Sequence, residues 1–326
     1  MVDIGQFYNG LAIVVFFIAL GFLLSRLKIL TDPGIKCITH LILSVALPIA
    51  FFRSFPSEFN SEDWHLFLWG AIAGGAILIL LIAISWIFFN KRFVGKDAYE
   101  YKFAFVFNNT SFIGYPLVSA TFGQDGLVAY AGSMLPWVLL VFTYGIWLFN
   151  RDYSWKDTLR TLINPNIIGI VLGAVFFIFS IQLWGTADRI LSIAGGLTTP
   201  LSLFAIGFML SQAKFKTLFK RWQVVAVTVL QLTVPATLTW LLLQAVGAPP
   251  VVVSVLTLMQ MLPTAAMLGL LHQKYKTTDV VKMKNGQPTL ESASPKGIES
   301  EAGEIVALST LLSAITVPIL ILLLLS

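Results

Sequence analysis

Phe107-Asn108-Asn109-Thr110-Ser111-Phe112-Ile113-Gly114-Tyr115-Pro116 sets four consecutive polar residues and a proline inside an apolar stretch that runs from Tyr101 to Phe122. About 20 apolar residues span a bilayer as a helix. Lipid cannot satisfy an asparagine amide, so these side chains must face protein or a solute. Proline has no N–H and kinks or breaks a helix by freeing a carbonyl one turn earlier. Backbone freed at membrane depth is tolerated only where it is buried or lines a cavity. The stretch therefore reads as a membrane helix broken at a polar centre. Its two glycosylation sequons, beginning at Asn108 and Asn109, fall within the span and are not usable there.

The rest of the chain supports a membrane setting. It is 57% hydrophobic and only 11% charged, against about 25% charged in soluble domains. A mean hydropathy of +0.85 leaves too little polar surface for a soluble globule, so the lipid bilayer is the expected partner for most of the surface. The single cysteine, Cys37, excludes an internal disulfide and a multi-cysteine metal site, and is expected to pack among its apolar neighbours. Asp3 precedes the first apolar segment and Arg26 and Lys28 follow it. That order is the reverse of a cleavable signal peptide and predicts a retained first helix with its N-terminus outside.

Ten candidate spans follow: 7–27, 35–55, 65–89, 101–122, 126–149, 167–184, 190–210, 222–246, 251–271 and 305–325. Gly123-Gln124-Asp125-Gly126 and Gly185-Thr186-Ala187-Asp188 are turn signals that divide the fourth span from the fifth and the sixth from the seventh. Lys and Arg resist translocation and accumulate in cytoplasmic loops. All 21 except Arg53 and Arg189 fall in the odd-numbered connections. This alternation predicts a multi-pass protein of the cell membrane with both termini outside. It also accounts for the net charge of +5 without nucleic-acid binding. Trp64, Trp86, Trp155, Trp184 and Trp222 lie near span ends, where amphipathic rings favour the interface. The polar segment 274–304 is expected to be a flexible cytoplasmic loop.

Ten spans divide into residues 1–150 and 151–326, with Asn164-Pro165-Asn166 opening the second half. Five helices per half force the second to enter from the opposite side, so the fold class expected is an all-α membrane protein of two inverted five-helix repeats. Leu47-Pro48-Ile49 corresponds to Thr199-Pro200-Leu201, and Asn109 to Pro116 corresponds to Gln260-Met261-Leu262-Pro263-Thr264. Breaks in both halves can aim positive helix N-termini at the midplane, each worth about half a unit charge. Such a pair suits a carboxylate without a buried Lys or Arg. Pro48, Pro136, Pro235 and Pro318 read as ordinary kinks of membrane helices.

The candidate solute-binding residues are thus Asn108, Asn109, Thr110, Ser111, Gln260 and Thr264, with breaks at Gly114, Pro116 and Pro263. Ser133, Ser309, Thr310 and Ser313 are further hydroxyls able to cap freed carbonyls or to pack closely. No Asp, Glu, Lys or Arg stands in the middle of a predicted span, which argues against an intramembrane carboxylate relay. His40, His65 and His272 lie near span ends. No metal motif, paired intramembrane Asp or Ser–His arrangement of an intramembrane protease is visible, so no cofactor, metal or enzymatic role is expected.

These residues resemble the auxin efflux carrier family, which includes plant PIN-formed auxin carriers and bacterial permeases for malate or malonate. The resemblance runs over essentially the whole chain. It rests on Asn109-Thr110 with Gly114-Tyr115-Pro116 and Phe122-Gly123, on Asn164-Pro165-Asn166, on the run from Pro200 to Gly207, on Pro263-Thr264-Ala265-Ala266, and on Ser309 to Ser313 with Thr316 and Pro318. It implies a bile-acid-symporter-like or sodium-proton-antiporter-like fold in which helices four and nine break and cross at Pro116 and Pro263. A scaffold would comprise 7–55 and 165–210, and a moving transport domain 65–149 and 222–326. Asn109 matches the family's substrate-side asparagine. The resemblance implies a secondary carrier of a small organic anion such as malate, an elevator-type mechanism and a homodimer built on the scaffold. The alternatives are a carrier of another small solute and an anion channel, which would need a continuous polar pathway rather than a cluster.

Overall fold

The computed structural model describes residues 4–56, 58–89, 98–150, 164–212, 219, 221–276, 283–284, 287–288 and 301–325. These form helices, save for a two-residue antiparallel pairing of Met283–Lys284 with Gln287–Pro288. Helix α1 (Ile4–Arg26) is apolar almost throughout. Helix α2 (Asp32–Leu41) opens on Asp32 and Pro33, both suited to a first turn. A π turn (Ile42–Ala46) joins it to α3 (Leu47–Phe52). The widened turn lies just ahead of Pro48, whose ring would otherwise strike the carbonyl one turn back. Helix α4 (Ser61–Phe88) is capped by Asn60, whose side chain accepts the Asp63 N–H at 2.7 Å.

Helix α5 (Ala98–Val106) stops short. After a gap of three residues, a π turn (Thr110–Gly114) leads into α6 (Tyr115–Leu140), and a second π turn (Val141–Gly145) into α7 (Ile146–Phe149). Within α6, Gly123 takes φ 60° and ψ −143°, a conformation open to glycine and strained for a residue with a Cβ. Asn164 caps α8 (Pro165–Ile178) through the Asn166 N–H at 2.9 Å. There follow α9 (Gly185–Gly196), α10 (Thr198–Gln212), α11 (Trp222–Ala245), α12 (Pro250–Met261), α13 (Met267–Lys276) and α14 (Glu301–Leu324).

Among the described residues, six helical stretches are long and apolar enough to cross a membrane: Asp32–Phe52, Ser61–Phe88, Thr110–Phe149, Gly185–Gln212, Trp222–Ala245 and Ala302–Leu324. Their outward faces carry large apolar side chains. Ile72 is 70% exposed, Ile79 63%, Ile193 65% and Leu323 70%. A soluble protein does not leave such faces uncovered, and a lipid-facing one does. Trp184 and Trp222 are likewise exposed at helix starts. The protein is therefore an all-helical, multi-pass membrane protein.

Three readings of the sequence need correction. Gly185 to Asp188 is not a turn but the start of α9, where Asp188 in the first turn complements the helix dipole. The chain turns earlier, closed by Ser180 at φ 50°. The first break does not lie at Pro116. Pro116 occupies the first turn of α6, where its missing N–H is harmless, and the break falls at Phe107–Asn109. Cys37 is exposed on α2 rather than packed inside. The expectations for Lys91, Arg92, Lys96, Arg151, Trp155, Lys156, Arg160, Lys214, Lys216 and Lys220, and for most of 274–304, fall outside the described residues.

Packing draws the helices into two sets that meet where α1 also lies on α6. Helix α1 lies along α10, and α3 along α8 and α9. Helix α4 lies along α6, while α11 packs on α12, α14 and α5. Glycines bring the partners to backbone contact, as is usual where lipid offers no hydrophobic drive between helices. A Cβ on Gly132 of α6 would stand 2.1 Å from the Phe67 carbonyl oxygen, and one on Gly207 of α10 2.1 Å from that of Ile18. The obstacle is backbone in each case, so a methyl group forces the helices apart. Gly132→Ala is expected to destabilise the protein by about 1–3 kcal/mol, read as a lowered thermal unfolding midpoint in detergent.

Candidate functional site: two broken helices that cross

The two interrupted helices meet at their breaks. Segment 107–109 leaves α5, segment 262–266 leaves α12, and the two run antiparallel, with Asn108 bridged to Thr264. The Asn109 N–H donates to the Pro263 carbonyl at 2.6 Å and the Ala265 N–H to the Phe107 carbonyl at 2.9 Å. Backbone groups that no helix serves are thus satisfied by the opposite break, as the dry surroundings demand.

Side chains complete the crossing. Asn108, 1% exposed, donates to the Met259 carbonyl at 3.0 Å and to Gln260 Oε1 at 2.7 Å. Its own carbonyl oxygen accepts from Gln231 Nε2 at 2.8 Å, and the same nitrogen donates to the Leu262 carbonyl at 2.7 Å. Asn109 Oδ1 accepts the Phe112 N–H at 3.3 Å and so caps the turn leading into α6. The Thr264 N–H donates to Ser309 Oγ on α14 at 3.1 Å. Tyr130 of α6 donates to the Thr110 carbonyl at 2.9 Å.

Beside Asn108 lies a cavity of about 10 Å³, lined among others by Thr110, Ser133, Trp137, Met259 and Gln260. That is room for about one water. Thr110 Oγ1 and Trp137 Nε1 are buried on its wall without a hydrogen-bond partner. An indole N–H can only donate, so the cavity offers polarity to a guest without presenting a charged side chain. The helix N-termini that begin at Thr110 and Met267 both start at the crossing.

Of the residues the sequence singled out, Asn108, Gln260, Thr264, Ser309, Pro263 and Asn109 take part in the crossing. Ser133 lines the cavity and donates to the Met259 sulfur at 3.2 Å. Gly114 and Pro116 are buried in the first turns beyond the break, and Ser111 is half-buried there. Thr310 and Ser313 instead donate to carbonyls of their own helix, at 2.7 and 2.8 Å.

Sequence reasoning missed Gln231, Trp137 and Glu100. Gln231 is an amide alone in an apolar span, the same signal that drew attention to Asn108. Trp137 carried no signal. Glu100 stood just outside the span drawn from Tyr101, yet α5 begins at Ala98 and Glu100 is 1% exposed. Its Oε1 is bonded to His272 Nδ1 on α13. Lys102, taken as a loop residue, is also buried, with its ammonium 3.2 Å from the centre of the Trp86 ring. Arg221 Nε pairs with Glu304 Oε2 at 3.6 Å. These charged contacts gather where α5, α11, α13 and α14 end on one side of the crossing.

An aromatic cluster adjoins the crossing through Tyr130. Phe51 stacks on Tyr130 at 5.8 Å, and Tyr115 meets both rings edge-on at 6.5 and 6.0 Å. A second cavity, of about 580 Å³, lies between α3, α8, α9 and the Gln124 end of α6, bordered by Arg53 and Asp188. Arg53 donates to the Asp188 carboxylate and, at 3.1 Å, to its backbone carbonyl. Gln124 Nε2 donates to the Ser54 carbonyl at 2.7 Å.

Comparison with known proteins bears on what such a crossing serves. A family described as membrane transport protein matches residues 6–153 and 150–280. An uncharacterized transporter of Methanothermobacter thermautotrophicus (strain Delta H) is 24% identical over 214 residues, covering 65% of this chain and 70% of the relative.

Proposed function

Because the chain belongs to the membrane transport protein family, we propose that it is a secondary carrier of a small organic anion, a mono- or dicarboxylate such as malate, rather than an enzyme. The observation that carries this reading is the uncharged crossing, where two helix N-termini and the unpartnered donors of Thr110 and Trp137 converge beside Asn108. Preorganised dipoles of this kind hold a carboxylate and release it more readily than a buried cation would.

The architecture proposed with it is ten spans in two inverted five-helix repeats. The stretch Thr110–Phe149 counts 40 residues, about 60 Å as a straight helix against a hydrocarbon core of about 30 Å. Gly123 divides it, and the first part continues the broken helix begun by α5 while the second is long enough to span by itself. The shorter apolar helices Ala12–Arg26, Pro165–Ile178 and Pro250–Met261 supply further crossings. The packing groups support a scaffold of α1–α3 and α8–α10 and a transport domain of α4–α7 and α11–α14. A cavity of about 10 Å³ cannot admit an organic acid, so loading requires movement, and we assign an elevator-type displacement of the crossing against the scaffold. The placement proposed is the cell membrane with both termini outside, as a scaffold-mediated homodimer.

Saturable uptake of labelled malate into proteoliposomes is the expected result. Asn109→Ala removes a cap worth about 1 kcal/mol, yet uptake is expected to fall by about 10-fold or more, since the loosened turn carries the donors on Thr110. Folded protein that takes up no carboxylate would refute the carrier reading. Uptake that does not saturate and shows no counterflow would instead identify a channel.

A further inference from the structure

The cavity bordered by Arg53 and Asp188 shares no lining residue with the one beside Asn108, and its chemistry is different. The crossing is uncharged and nearly filled. This cavity is about 580 Å³, lined by Arg53, Asp188, Gln124 and Gln182 over the aromatic walls of Phe52 and Phe176. Its volume suits a small organic acid, where the crossing holds no more than a water. A guanidinium presents a planar fork of donors that matches a carboxylate.

Arg53 already holds one carboxylate, and that contact is weakly held. The two side chains are 29% and 49% exposed, and a pair so open to solvent is only weakly stabilising. An arriving carboxylate can therefore exchange with Asp188 at little cost. The position is also consequential. Arg53 follows α3 directly, one residue beyond Phe52 and two beyond Phe51, whose ring lies on Tyr130. Tyr130 in turn bonds the Thr110 carbonyl. Arg53 is thus joined to the crossing through Phe51, Tyr130 and Thr110.

We propose that this cavity is a second carboxylate site, in which Arg53 receives the anion before it reaches the crossing and Asp188 is the internal counter-ion that occupies the guanidinium meanwhile. The assignment deepens the carrier reading and rests on it for the substrate class. It makes Arg53 and Asp188 opposed in effect. Removing the cation weakens capture, whereas removing the competing anion strengthens it.

The test uses the full chain, with labelled malate as the probe in two assays: equilibrium binding to the purified protein and initial uptake rates in proteoliposomes. Arg53→Gln is expected to weaken binding and raise the uptake KM by about 5–10-fold, the loss of one charge-assisted contact, with kcat unchanged. Arg53→Lys should recover part of the loss. Asp188→Asn is expected to tighten binding by about 2–3-fold, the release of one exposed ion pair. If Arg53→Gln and Asp188→Asn shift binding in the same direction, the pair is a structural tie and the proposal is overturned. Unaltered binding in Arg53→Gln overturns it equally, as does wild-type protein that binds no malate. Binding that depends on Arg53 in a protein that carries out no uptake would uphold the site and remove the carrier reading.

Discussion

Asn108→Ala is expected to abolish transport and to lower stability by about 3–5 kcal/mol, because the substitution strands several partners at once. Met259 loses a donor to its carbonyl, Gln260 Oε1 loses its donor, and Gln231 Nε2 keeps only the Leu262 carbonyl. A buried polar group left unsatisfied costs about 1–3 kcal/mol, more than a typical bond contributes when made. Asn108 is buried, so bulk solvent cannot take over these bonds. Thermal unfolding in detergent reads the stability, and proteoliposome uptake the activity. Gln231→Ala, which leaves one side-chain acceptor and one carbonyl exposed, should give a smaller loss of the same kind. A near-wild-type unfolding midpoint for Asn108→Ala would show that the network is not what holds the breaks together.

The second large effect is expected at Glu100. Its side chain is 2% exposed and bonded to His272, whose ring is 20% exposed. Taking away one partner of a buried side-chain pair costs about 1–3 kcal/mol, and more where a charge is left behind, because the remaining group keeps its desolvation cost without its compensation. Glu100→Ala should therefore lower the unfolding midpoint markedly. His272→Ala removes the more accessible partner and is expected to cost less than Glu100→Ala. The double substitution is expected to fall short of the sum of the two, since the coupling is counted only once. Full additivity would mean that Glu100 owes its burial to other neighbours.

Much of this was legible in the sequence because the governing constraints are coarse. Apolar length and charge placement point to a multi-pass membrane protein without reference to any contact. Four polar residues in one apolar stretch announce a buried polar centre, and Asn108 and Gln260 are in fact bonded across 152 positions. Where the reading slipped, the signal was local and the cause was not. Pro116 was taken as the breaker, but a proline can either break a helix or begin one. What chose between these was the partner segment around Pro263, which supplies hydrogen bonds to the chain seven residues earlier. Gly185 to Asp188 resembled a turn by composition, yet the same residues make an adequate helix start. Glu100 and Lys102 looked like loop charges because nothing in sequence reports that His272 and Trp86 fold over them. Trp137 could not be chosen among nine tryptophans without knowing which one faces the cavity.

The reciprocal backbone bonds at the crossing have a further meaning for how the chain is made. Asn109 is translated long before Pro263 and Ala265, so the first break is delivered to the membrane while its backbone partners from the second break are still unsynthesised. Until they arrive, amide groups at membrane depth lack the satisfaction that lipid cannot give. Contacts this distant along the chain also form late and slowly. The amino-terminal half is therefore an unfinished object on its own, held open for a strand that only the carboxy-terminal half brings. Assembly of the crossing is the step at which two insertion products become one protein.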